Sequence, residues 1–195
     1  MYNINMIPAS PIPLWQFADA VVIILVSVVT IFLMATHKRR TGALLPSISR
    51  TIAADRRTSL IFSIMMTVAV PLYYGFIWFW VGPLVSAPWY FYVILAVSIV
   101  SEMIFVWVPA TSGMSKSVHE ITAGFVGFVM FAAPLILLGT GNLSSIAQLG
   151  TLLFFGLTAV IIALLMYPKS RKFTLSLEVV YCVAFWAVMS IIAHS

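Results

Sequence analysis

Six apolar runs, each about twenty residues long, follow one another along this chain with only short polar turns between them. They span roughly residues 14–36, 60–81, 88–108, 118–138, 146–167 and 173–192. A bilayer core of about 30 Å is crossed by about 20 residues of α-helix. The pattern therefore predicts an all-α integral membrane bundle of six transmembrane helices, one domain covering residues 1–195, with no loop or tail long enough for a soluble domain. Composition agrees. Of the 195 residues 63% are hydrophobic and 8% charged, where soluble chains carry about 25% charged residues.

The net charge of +5 suggests nucleic acid as a partner until its distribution is considered. Every Lys and Arg falls within 37–59, 109–117 or 168–172, the first, third and fifth loops. Positive charge in alternate loops marks the cytoplasmic side, so these three loops are expected inside, both termini outside, and nucleic acid is not expected as a partner. The uncharged segment 1–13, with three prolines, reads as a short extended tail. It lacks the basic start of a signal peptide, so the first span is expected to be retained. Cys182 stands alone in an apolar run, which leaves no intrachain disulfide.

Several local signals refine the picture. In the longest loop, PSISRTIAADRR reads as a short interfacial helix starting at Pro46, with Ile48 and Ile52 on one face. Pro71 falls midway along the second span and is expected to kink it. The aromatics Tyr73, Tyr74, Trp78 and Trp80, and the run Trp89–Tyr92, suit the outer headgroup level. Ala123, Gly124 and Gly127 form a small-residue patch through which a helix of another copy or a membrane partner is expected to approach. The two halves of three spans have opposite topology, but Pro71 has no counterpart in the fifth span, so an inverted repeat lacks support.

The chemistry concentrates in Ser101–Gly127. Glu102 lies deep in the third span, and His119 and Glu120 open the fourth. Ionisable groups inside a membrane cost at least about 2.5 kcal/mol each and are functional candidates by default; Asp19, Glu102 and Glu178 are the three here. Glu102, His119 and Glu178 form one candidate catalytic set, since mixed imidazole and carboxylate ligands suit Zn, Mn or Fe and a metal with an open position activates water. Each has a plainer reading. Ser117 and Glu120 fit a capping box at a helix start. Glu178 suits an ion pair with Arg171, Lys172 or the arginines before the second span. Glu102 reads equally as a buried structural pair. No HExxH, GxSxG or glycine-rich phosphate loop is present, and neither a metal nor any other cofactor is specified. Asp19, near the outer end of the first span, is a candidate ligand-binding residue with Tyr73 and Tyr74, or with Trp186 if that helix is its neighbour; a solvated carboxylate is the plainer alternative.

The segment Trp107-Val-Pro-Ala-Thr-Ser-Gly113 with His119-Glu-Ile-Thr-Ala123, and the stretch Ala43–Arg57, resemble bacterial six-span membrane proteins of unknown function distantly related to the DRAM and GPI-lipid-remodelling families. The resemblance implies a six-helix bundle in a bacterial cytoplasmic membrane, a link to lipids, and His119 as the histidine that opens the fourth span. Three functions follow as expectations. The first is non-enzymatic binding of membrane lipids or a partner within the bilayer. The second is a small proton-coupled transporter using Asp19 and Glu102. The third is a metal-assisted lipid hydrolase using Glu102, His119 and Glu178.

Overall fold

Backbone in hydrocarbon has no water to bond, so each crossing satisfies its own amides and carbonyls as a helix. The computed structural model describes residues 14–45, 47–108, 113–167 and 173–195. Among these there is no strand. A 3-10 turn, Leu14–Phe17, leads into α1 (Ala18–Thr41); then come α2 (Ile48–Ala53), α3 (Arg56–Leu84), α4 (Trp89–Trp107), α5 (Gly113–Gly139), α6 (Ser145–Met166) and α7 (Thr174–His194). All but α2 are long and apolar enough to cross a membrane. The extended tail 1–13, Pro46, Pro109 and the basic turn 168–172 lie outside the described residues.

Several helices outrun their apolar stretches because polar residues cap and continue them. α1 carries on through Lys38–Thr41, where cations suit the negative end of the helix dipole. It stops where Gly42, at φ 80°, donates its amide to Lys38 O at 2.8 Å. Asp55 begins α3 by accepting from the amides of Arg57 (2.7 Å) and Thr58 (3.1 Å). Its other oxygen pairs with Arg40 at 3.0 Å, tying the end of α1 to the start of α3. The amides of Thr58 and Arg57, with the Arg40 and Arg57 charges adding less, hold the Asp55 carboxyl below its ordinary range. A short helix is present in this loop as α2; it starts at Ile48, two residues after the expected Pro46, and is capped by Ser47, whose hydroxyl accepts from the Arg50 amide at 3.2 Å.

The capping box expected at Ser117–Glu120 is not formed. α5 opens at Gly113, so both residues lie inside the helix. Ser117 donates back to Gly113 O at 3.5 Å, and Glu120 faces Lys116 at 3.7 Å, one turn earlier. Apolar periodicity marks only the membrane-embedded part of a helix, and this one continues past it on an i,i+4 ion pair.

α3 is the centre of the bundle: 56% of its most apolar stretch is buried, against 22–33% for the other five. It packs on α1 and α4; α4 packs on α5, α6 on α7, and α7 returns to α3 and α1. Helices in lipid gain little from hydrophobic exclusion and associate through packing and hydrogen bonds. Both are visible. Trp15 lies on Gly75, where a Cβ would collide with its ring, and stacks near Phe79 at 5.1 Å. Ser63 donates to Val106 O (2.8 Å), and Trp80 donates to Ala193 O (3.3 Å). Pro71 sits within α3 and Pro134 within α5, and each helix continues through its proline. Near its end α3 widens into a π-turn, Ile77–Val81, where Gly82 N–H reaches back to Ile77 O.

This central position corrects the expectation for Tyr73 and Tyr74. Rather than anchoring at the headgroups, they are 6% and 7% exposed. α3 runs ten residues beyond Tyr74 to Leu84, about 15 Å at 1.5 Å per residue, which leaves both rings in the core.

Candidate functional site: a polar line along α7

Along α7 the residues Glu178, Cys182, Trp186, Ser190 and His194 recur every fourth position. Residues four apart form one inclined ridge on a helix. The ridge is half-buried along Glu178–Ser190 and exposed at His194; it bonds to Asp19 of α1 through Ser190 and His194, and its Cys182 lies within electrostatic range of Glu102 on α4.

At one end is Asp19, in the first turn of α1 and buried. Its Oδ2 accepts from Ser190 Oγ at 2.9 Å and lies 3.2 Å from His194 Nε2, while Oδ1 accepts from the Ala20 amide at 2.7 Å. The partners expected for Asp19 were Tyr73, Tyr74 or Trp186. Its hydrogen bonds instead go to α7, because the last turn of that helix lies against the first turn of α1. His194 in turn stacks on Phe76, with ring centroids 6.5 Å apart.

Next comes Tyr73. Its ring packs against Phe76 (5.9 Å) and Phe185 (6.2 Å), yet its hydroxyl is buried with no hydrogen-bond partner among the described residues. It lies within electrostatic range of the carboxyl groups of both Asp19 and Glu102. Tyr74 turns the other way: its hydroxyl is 2.6 Å from Ser98 Oγ on α4 and interacts with Glu102, one turn further along α4. Asp19 and Tyr74 therefore belong to two separate hydrogen-bond networks, and the Tyr73 hydroxyl joins neither.

Glu102 is partly buried, and among the described residues no Lys or Arg pairs with it. Cys182 lies within electrostatic range of both Glu102 and Glu178. Glu178 closes the line at the basic end of the bundle. Its Oε2 accepts from the Ile48 amide of α2 at 3.0 Å, with Arg50 in electrostatic range. Glu178 thus holds a backbone amide, and no ion pair with Arg50, Arg56 or Arg57 is formed, while Arg171 and Lys172 lie outside the described residues.

His119 does not join this line. It is 6% exposed, its Nδ1 is 2.7 Å from Val108 O, and its ring lies 4.5 Å from that of Phe105. Among the described residues no three His, Cys, Asp or Glu side chains converge so as to hold a metal ion. Glu102, His119 and Glu178 point into separate surroundings: a tyrosine pair, a cavity beneath α2, and the first turn of α2. On the small-residue patch of α5, Gly127 O accepts from the Tyr181 hydroxyl at 2.8 Å, while a Cβ on Gly124 or Gly127 would meet nothing.

Ser190, His194, Cys182 and Ser98 are site residues that sequence analysis passed over. The signal for the first three was present as the four-residue recurrence on α7. Ser98 carried one too, four residues before Glu102.

Comparison with known families, characterised proteins and solved structures finds no match: no family model matches the chain, nor does any curated protein or any solved structure.

Proposed function

We propose that this membrane protein is a small proton-translocating carrier, in which Asp19 and Glu102 take up and release the proton. One observation carries the proposal. Tyr73, with a buried hydroxyl that has no partner among the described residues, feels the charge of both carboxyls. A buried hydroxyl without a partner costs about 1–3 kcal/mol, and a carboxyl in the membrane without a cation costs more. The bundle bears both costs at adjacent places, where a purely structural core would use Phe and an apolar residue. The Tyr74 hydroxyl meets Ser98 and Glu102, Ser190 and His194 meet Asp19, and in this proposal trapped water at the unpartnered Tyr73 hydroxyl links the two ends.

The charge asymmetry supports an orientation. Lys38–Arg40, Arg50, Arg56, Arg57 and Lys116 sit at the end of the bundle where α1 finishes and α3 and α5 begin. By the positive-inside rule that end faces the cytoplasm and both termini face out. The resemblance noted above favours a bacterial cytoplasmic membrane. Binding of lipid or of a membrane partner draws its support from the open face of α5 at Gly124 and Gly127. The hydrolase reading has no ligand cluster among the described residues.

The test is proton uptake into proteoliposomes under a potassium diffusion potential, in buffer alone and in buffer supplied with a small-molecule cell extract. Uptake above empty vesicles in either buffer, abolished by Glu102→Gln and Asp19→Asn, is the expected result. Uptake equal to empty vesicles in both buffers would overturn the proposal.

A further inference from the structure

His119 offers an observation independent of the polar line. A carbonyl oxygen only accepts, so the 2.7 Å contact with Val108 O places the ring proton on Nδ1. In the neutral ring Nε2 then carries a lone pair, and this atom is buried with no partner among the described residues. His119 is one of the residues that line a cavity of about 30 Å³. A water needs about 10–15 Å³ of such space together with polar neighbours.

The walls supply the neighbours. α2 roofs the cavity with Ser49 and Ile52, α3 contributes Ser59 and Phe62, and α4 contributes Phe105. The roof is fastened at two points: Glu178 accepts from the Ile48 amide, and Thr58 Oγ1 donates to Ile52 O at 2.8 Å. Among the described residues no carboxylate lines the space. An anion lacking a donor would face the Nε2 lone pair and be repelled, and an apolar group would leave the lone pair unsatisfied.

We propose that the cavity beneath α2 is a binding site for a hydroxyl group that donates to His119 Nε2, with the hydroxyls of Ser49 and Ser59 as its further neighbours. Two sources share this chemistry. One is a buried water. The other is the free hydroxyl of a glycerol-type anionic lipid headgroup, whose phosphate would find Arg50 beside Ser49 and Arg56 one turn before Ser59.

The experiment is solid-state nitrogen NMR of the full chain, labelled with ¹⁵N-histidine, in bilayers of phosphatidylcholine and, separately, of phosphatidylglycerol. His119→Gln assigns the resonance among the three histidines. The expected result is a ring protonated at Nδ1 with Nε2 shifted upfield from the position of a free lone pair. Magnetisation transfer from water to Nε2 in both bilayers identifies a water. An upfield shift confined to phosphatidylglycerol, without transfer from water, identifies the headgroup hydroxyl. A free lone pair in both bilayers, or a proton on Nε2, would overturn the proposal. Ala53→Leu, which fills the same cavity from α2, is expected to return Nε2 to the free position; persistence of the shift in that variant would also overturn it.

Discussion

Asp19 Oδ2 and His194 Nε2 lie 3.2 Å apart, joining the first turn of the first helix to the last residue of the last. The Asp19 side chain is 5% exposed and that of His194 39%, so the two partners differ in what their loss costs. Asp19→Ala leaves Ser190 without its acceptor inside the bundle. It is expected to destabilise the protein by about 1–3 kcal/mol, the cost of an unsatisfied buried polar group, whereas His194→Ala should cost less than about 1 kcal/mol because its partner keeps Ser190 and the Ala20 amide. Thermal unfolding in detergent of the two single variants and the double variant gives both values and the coupling between them.

Tyr73→Phe separates stability from transport. Removing an unpartnered buried hydroxyl is expected to be neutral or to stabilise by about 1 kcal/mol. If the hydroxyl passes protons between Asp19 and Glu102, uptake in proteoliposomes should nevertheless fall by about tenfold, the effect of about 1.4 kcal/mol on a barrier. A variant as active as the parent would remove Tyr73 from the path.

Gly75 and Gly124 are predicted to respond oppositely to alanine. A methyl at Gly75 meets the Trp15 ring, while one at Gly124 meets nothing. Gly75→Ala should cost about 1–3 kcal/mol through overpacking, and Gly124→Ala should be silent in the monomer. Combining Gly75→Ala with Trp15→Ala should restore part of the loss, as read by thermal unfolding.

The Asp55 cap gives a pH dependence of defined sign. Its carboxyl titrates below the ordinary range because amides hold the charged form. The contribution is therefore present above the unfolded carboxyl pKa and is lost as pH falls through the lower folded value. Amide exchange at Thr58, corrected for the intrinsic pH effect, should lose protection as pH falls through that range, and Asp55→Asn should shift the transition out of it.

The six crossings were legible because apolar length is a property of each segment alone. So were the basic end and the existence of α2. What sequence could not supply was contact between helices. Asp19 looks like a lone interfacial carboxylate until α7 brings Ser190 and His194 to it. Tyr73 and Tyr74 look like headgroup anchors until α3 is known to be the enclosed helix. The Ser117–Glu120 capping box failed for a related reason: an ST-type start is recognised where hydrophobicity rises, and α5 had begun one turn earlier. The four-residue recurrence on α7 was readable in principle, but four of its five members are small or neutral and only Glu178 carries a charge that draws notice.

The wide turn at Ile77–Val81 has a consequence for how α3 tolerates changes in chain length. A π-turn holds one residue more than an α-turn while the helix on either side keeps its phase. Deleting a single residue within this turn would therefore leave an ordinary helix with Tyr73 and Tyr74 still facing inward. The same deletion elsewhere in α3 rotates everything beyond it by about 100° and would turn core residues toward lipid. The central helix has one place along its length where the chain can be shortened without resetting its register.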